Sequence, residues 1–253
     1  MKAEIIAQIN RLPLFELKEI AVKHENEYID NKYLRAVILQ GKPERVISIV
    51  SDKYKLVQFK DVFIPAIEKI EEIEDGLVLS YLGKAYLEIY PKGEEFKLND
   101  GERVGLVLRN SVDKAWAIQI NFCISSANLP TVILPNTIKG LRKVHVGKIE
   151  ITKDFIEVIN KVKEIWKIIV EKFTQRKFEL EELEDFAKIT KIGERIKRKL
   201  EKKLKVKELN LWEVFVFVIK EIAKRKYKSE LHKKEKLQRI TNAIFKYAII
   251  EEI

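Results

Sequence analysis

Apolar residues follow two different spacings along this chain, and the change from one to the other divides it. Ile5, Ile6 and Ile9 recur at helical spacing, as do Leu17, Ile20 and Ala21, with Pro13 between the two groups. Offsets of three and four residues place side chains on one helical face, so the first thirty residues are predicted as short helices. Tyr33 to Gln40 and Arg45 to Val50 are apolar runs on either side of Gly41-Lys42-Pro43-Glu44, which is turn chemistry, and together they predict a hairpin. Tyr54 to Phe59 is a candidate third strand. Lys60 to Glu74 reads as a helix with the stripe Val62, Ala66, Ile67, Ile70 and Ile73, and Gly76 lies beyond its end.

Strand character follows. Leu77 to Tyr90 and Arg103 to Leu108 flank the polar loop Pro91 to Gly101. Ala115 to Ile124 alternates with period two, turning Trp116, Ile118, Ile120 and Phe122 to one side. Thr131 to Leu134 is a further short strand, followed by the turn-like Pro135-Asn136. No βαβ alternation is present, so the sheet is expected to be antiparallel. From about residue 151 the spacing is helical: Phe155, Val158, Ile159, Val162, Ile165, Trp166 and Ile169 share a face, and Phe178 to Ile189 and Lys191 to Val206 continue the pattern. Asn210-Leu211-Trp212-Glu213 has the form of a capping box, with Asn as cap and Glu at the third helical position. The helix after it is apolar almost all round and belongs at the centre of the helical part. A last helix is predicted from about Ser229 to Ile250. The predicted fold class is α+β. An antiparallel sheet with flanking helices spans 1–150, and a basic helical C-terminal module spans 151–253.

Charge sharpens that division. The net charge of the 253 residues is +10. Residues 1–150 hold 22 Lys/Arg against 21 Asp/Glu, whereas residues 151–253 hold 27 against 18. A basic half points to an anionic partner. Charged residues make up 35% of the chain, with few Cys, Met and His. That composition is seen in hyperthermophile proteins, whose ion pairs cost less to desolvate at high temperature. A single Cys excludes an internal disulfide and fits a reducing, cytoplasmic compartment. Leu211 to Ile222 is too short and too interrupted by charge to span a bilayer, so no membrane partner is expected.

The densest cationic stretch is 188–207, with ten Lys/Arg and only Glu194 and Glu201 as acids. On a helix, Ile189, Ile192, Ile196, Leu200 and Leu204 form one apolar face, and Lys191, Arg195, Arg198, Lys202 and Lys205 form a stripe opposite, within roughly 80°. A helix anchored on one face with aligned cations on the other suits a phosphate backbone, where counterion release favours binding. A second cluster, Lys224-Arg225-Lys226-Tyr227-Lys228, is followed by Lys233, Lys234, Lys236 and Arg239. The nucleic-acid-binding set is therefore Lys191, Arg195, Arg198, Lys202, Lys205, Lys224, Arg225 and Lys226. Tyr227 is a packing residue or a stacking platform for a base.

Catalytic chemistry is sparse. His24, His145 and His232 share no ligand spacing, and with Cys123 they match no zinc pattern. The glycines form no phosphate-cradling motif. One nuclease-like trace pairs Asp75 with Glu95-Phe96-Lys97, because metal-dependent nucleases set an Asp and a Glu-x-Lys on neighbouring strands. Glu-x-Lys arises easily in a chain this charged. No catalytic residue, metal ligand or cofactor is assigned.

Several short motifs carry a resemblance. They are Val46-Ile47-Ser48-Ile49-Val50-Ser51-Asp52-Lys53-Tyr54-Lys55-Leu56-Val57, Leu108-Arg109-Asn110-Ser111-Val112-Asp113-Lys114, Cys123 in a strand, His145-Val146-Gly147, and Leu211-Trp212-Glu213-Val214. Over roughly residues 33–250 the chain resembles the phage/plasmid-like proteins, a family of uncharacterised function found in phages, plasmids and archaeal mobile elements. It departs from that pattern at Ser125, where Asn is expected, and at Lys114, where Gly commonly follows the Asp. The resemblance implies a plasmid or viral context. The function expected from all of this is a non-catalytic nucleic-acid-binding accessory protein of a mobile element, acting in replication or recombination. The alternative is a structural or interaction protein that forms a homo-oligomer, or binds an acidic partner, through the helical module.

Overall fold

Helix α1 (Lys2–Asn10) turns Ile5 and Ile9 into the core, as the spacing predicts. The computed structural model describes residues 1–134, apart from 42, 99–100, 114–115, 117 and 128, and residues 155–250. Among them, contacts cluster into two units. One holds 1–92 and 106–120, and the other holds 93–105, 121–134 and 155–250. The predicted turn at Pro135-Asn136, and His145, lie outside the described residues.

After α1 the first unit departs from the expected helices. Phe15–His24 is a strand, β1, and Glu27–Leu39 is a second, β2, joined through Glu25 at φ +52°. With β3 (Arg45–Ser51) they form an antiparallel sheet in the order β1-β2-β3. Leu17, Ile20 and Ala21 sit at helical offsets, but ten cross-strand pairings, from Phe15 with Leu39 to His24 with Glu27, outweigh local preference. The Gln58 side chain completes the start of β1, donating to the Phe15 carbonyl at 2.8 Å and accepting from its N–H at 3.1 Å. Tyr54 to Gln58 therefore forms no strand; it leads into α2 (Phe59–Glu68), which buries Val62, Phe63, Ala66 and Ile67. That helix is shorter than the predicted Lys60 to Glu74 because Ile73 opens β4 (Ile73–Tyr81). The ammonium of Lys2 finishes α2 by donating to the carbonyl of Ile70 at 2.6 Å and that of Glu68 at 3.2 Å.

β5 (Lys84–Pro91) follows at once, so the apolar run Leu77 to Tyr90 is a hairpin. Its turn is Leu82-Gly83, at φ +43° and +77°. α1 comes close to β4 at Gly76: a Cβ there would lie 2.5 Å from the Ile5 side chain. β6 (Arg103–Ser111), β7 (Gln119–Ser126) and β8 (Leu129–Ile133) complete a sheet in the order β4-β5-β6-β7-β8. The pairs β4–β5, β5–β6 and β7–β8 are antiparallel.

The second unit is mainly helical. α3 (Phe155–Gln175) buries Ile159, Val162, Trp166 and Phe173. A two-residue strand, β9 (Lys177–Phe178), precedes α4 (Leu183–Thr190) and α5 (Glu194–Leu204), and it pairs with β10 (Leu209–Asn210). α6 (Leu211–Ala223) begins at the predicted capping box. Asn210 Oδ1 accepts from the Glu213 N–H at 2.8 Å, and Glu213 accepts from the Asn210 N–H at 3.1 Å. α6 is the hub: Leu211, Val214, Phe215, Val218, Ile219 and Ile222 are wholly enclosed. Each such side chain stabilises the fold by roughly 1.5–3 kcal/mol. α7 (Glu230–Ile250) lies against α6 and α4. Phe215 meets Phe173 and Phe245 with ring centroids 6.0 and 5.7 Å apart, and Phe186 meets Phe178 and Tyr247 at 5.1 Å each. The fold is α+β, with antiparallel sheets and a helical C-terminal region. No described helix is long and apolar enough to cross a membrane.

Candidate nucleic-acid interface

The basic stretch 188–207 is not one helix. α4 ends at Thr190, and its C-cap, Lys191, is left-handed at φ +54°, ψ +42°. Gly193, at φ +83°, ψ 148°, then starts α5. Side chains rarely tolerate the second conformation, so glycine belongs there. The corner reorganises the predicted faces. Ile192, Ile196 and Leu200 are buried as expected, but Ile189 is 42% exposed because it belongs to a different helix. Lys191 leaves the predicted stripe and sits at the corner. Arg195, Arg198, Lys202 and Lys205 remain on α5 or at its end, all exposed.

Ion pairing separates the cations of this region. Lys197 pairs with Glu184, Lys199 with Glu221, Lys205 with Glu201 at 2.6 Å and Lys207 with Glu213 at 2.6 Å. Lys224 lies 3.3 Å from Glu221, and Arg198 lies 3.9 Å from Glu194. Lys203 sits over the Phe217 ring, 5.1 Å from its centroid. These groups join α5 to α4 and α6, and the Lys199 hydrogen bond holds the Glu221 carboxyl below the usual carboxylate range. Lys191, Arg195, Lys202, Lys226, Lys228 and Arg239 are exposed and form no ion pair among the described residues.

Arg225 joins the corner, and its charge reaches Lys236 on α7. Arg225, just past α6, donates to the Ile192 carbonyl at 3.4 Å. Its guanidinium lies 3.9 Å from where a Cβ on Gly193 would stand. Lys236 and Arg239 lie one turn apart on α7. Burial pushes the Lys236 ammonium below the usual lysine range, and the charges of Arg239 and Arg225 push it the same way. The backbone thus brings Lys191, Arg195 and Arg225 around Gly193, whereas Lys205 lies about 15 Å further along α5 at 1.5 Å per residue. Like charges held together without an acid lower their cost by taking up an anion.

The Tyr227 hydroxyl donates to the Ile222 carbonyl at 3.0 Å, so it caps α6 rather than offering a free ring edge. His232 bonds Ser229 at the start of α7, His24 is exposed on β1, and Cys123 is buried in β7. Asp75 lies on β4, while Glu95 sits in a 3-10 turn and Lys97 pairs with Glu94 at 2.6 Å. Among the described residues no group of three His, Cys, Asp or Glu could hold a metal ion. One polar cluster escaped the sequence reading. Buried Glu88 accepts from the Tyr86 and Tyr90 hydroxyls at 2.5 and 2.8 Å. Its signal was the period-two series Lys84, Tyr86, Glu88, Tyr90 on β5, masked when Leu77 to Tyr90 is taken as one run. No protein-family model, curated protein or solved structure matches the chain.

Proposed function

We propose that this protein is a non-catalytic nucleic-acid-binding accessory protein that grips the phosphate backbone through its helical unit. One observation carries the reading. The cations of α5 divide into those used to hold the fold, such as Lys197 and Lys199, and those left without an acid at the α4–α5 corner and along α5. A surface evolved only for thermal stability pairs its charges into networks; an unpaired set beside Arg225, Lys236 and Arg239 is arranged for a polyanion. Arg198, Lys205 and Lys224, being tied to acids, contribute less than Lys191, Arg195, Lys202, Arg225 and Lys226. No base-reading element stands among them, so binding is independent of sequence. The resemblance of the short motifs to phage/plasmid-like proteins favours a role in the replication or recombination of a mobile element. An interaction role for the helical unit has less support, because its exposed large apolar residues, Ile168, Leu180, Ile189 and Val206, lie on separate elements.

Fluorescence anisotropy with single- and double-stranded DNA and with RNA, across a salt series, tests the reading. The wild-type affinity is expected to fall steeply with salt. The variant Lys191→Ala, Arg195→Ala, Lys202→Ala, Arg239→Ala is expected to reduce the slope by about 3–4, roughly one per lost phosphate contact. Lys199→Ala with Lys207→Ala, which removes the same kind of charge from paired positions, is expected to leave the slope unchanged. No binding at low salt overturns the proposal.

A further inference from the structure

Among the described residues, exposed large apolar side chains are concentrated on the small sheet rather than on the helices. Val22 is 53% exposed, Tyr28 72%, Ile29 57% and Tyr33 78%. β2 pairs β3 only from Leu34 onward, so Ile20–His24 and Glu27–Asn31 form a two-stranded ribbon. Among the described residues β1 is an edge strand, and from Ala21 to His24 it is exposed. Unpaired edges bearing apolar side chains invite another strand. Charge decides which strand. Residues 15–35 carry four Lys/Arg and five Asp/Glu, so the ribbon has no attraction for a polyanion.

The sequence of the edge is self-complementary. If a second β1 runs antiparallel with Ala21 on the two-fold axis, Ile20 faces Val22 of the second copy and Glu19 faces Lys23, each twice by symmetry. Ile20 and Val22 point to the face that also carries Ile29, the cross-strand partner of Val22. The apolar pairs would then close over one another while the ion pairs form on the other face. Neighbouring registers lack this match. Centring on Ile20 sets Lys18 against Val22 and Leu17 against Lys23, and centring on Val22 sets Ile20 against His24 and Ala21 against Lys23. Lys18 is already engaged by Glu44 at 2.7 Å and Glu16 at 3.0 Å.

We infer that the β1 edge is a homodimer interface, on which a second copy of this chain pairs β1 to β1 antiparallel about Ala21 and joins two three-stranded sheets into one of six. The inference is independent of nucleic-acid binding. Sedimentation equilibrium of the full chain over a concentration series tests it, with Glu19→Lys and Lys23→Glu made separately and together. Each single substitution turns both cross-strand charge pairs repulsive and is expected to weaken dimerisation about ten-fold or more. Both singles are exposed and leave the core untouched. An equimolar mixture of the two single variants, and the double variant alone, restore opposite charges at every pair and are expected to recover wild-type association. A monomeric wild type at concentrations up to about 1 mM overturns the inference. So does a dimer indifferent to the single substitutions, or a mixture that associates no better than its components.

Discussion

Lys236 is the side chain at which the proposed anion binding and the fold would be coupled. It is half-buried on α7, and its ammonium is already disfavoured by that burial and by the guanidiniums of Arg239 and Arg225. A depressed lysine is charged at low pH and loses its proton earlier than an ordinary lysine as pH rises. While charged in the free protein it costs stability, a cost relieved as pH climbs through the lowered value. A bound phosphate favours the charged form, so binding takes up a proton wherever the free protein has begun to lose it. Affinity is therefore expected to fall as pH rises toward the lysine range, before the exposed lysines titrate. Lys236→Arg is expected to flatten that dependence, because a guanidinium stays charged throughout. Anisotropy at constant ionic strength across a pH series measures both. An identical pH profile in wild type and variant would separate Lys236 from the ligand.

At the scale of elements, the corner between α4 and α5 is where the chain organises its cations, and two residues hold it. Lys191 occupies a left-handed conformation that costs a non-glycine residue about 1–2 kcal/mol. Lys191→Gly is expected to raise stability by about that amount while weakening nucleic-acid binding, so fold and affinity move in opposite directions. Gly193→Ala is expected to cost about 1–3 kcal/mol through its backbone alone, since the nearest atoms lie 3.9 Å away. Chemical denaturation checks both. The same corner shows what the sequence conceals. Ile189, Ile192 and Ile196 fit one helical face, and only Gly193, within that run, marks the break. Phe15 to His24 poses the same problem in reverse: its offsets allow a helix, and the strand arises from pairing with residues as distant as Leu39. Long-range pairing has no local signature, which is why β3 and β2 from Tyr33 onward were legible either side of their turn, but β1 and the start of β2 were not. The Asn210–Glu213 box and the enclosed faces of α6 were legible because local geometry determines both. The candidate cations were legible as a set, whereas the acid assigned to each, such as Glu221 for Lys199, 22 residues away, required the tertiary fold.

For the whole molecule, the two proposed surfaces differ in kind, one of charge and one of apolar edge. The helical unit offers cations without acids, and the small sheet offers an edge with matched charges and exposed Val22 and Ile29. A protein that holds a polyanion weakly at each site and pairs with itself gains from a ligand long enough to carry several copies, because the second binding event becomes intramolecular. Two lengths of DNA separate the contributions. On an oligonucleotide that accommodates a single protomer, Glu19→Lys is expected to bind like wild type, since it leaves α4 to α7 unchanged. On a long lattice, the same substitution is expected to lower apparent affinity and remove cooperativity, and the equimolar mixture with Lys23→Glu is expected to restore both. Replacing Lys191, Arg195, Lys202 and Arg239 with Ala reverses the pattern, weakening binding at both lengths while leaving association in free solution intact. Titrations at the two lengths with these variants measure the coupling. If Glu19→Lys weakens short and long ligands equally, the β1 edge acts on the ligand itself and not through a second copy.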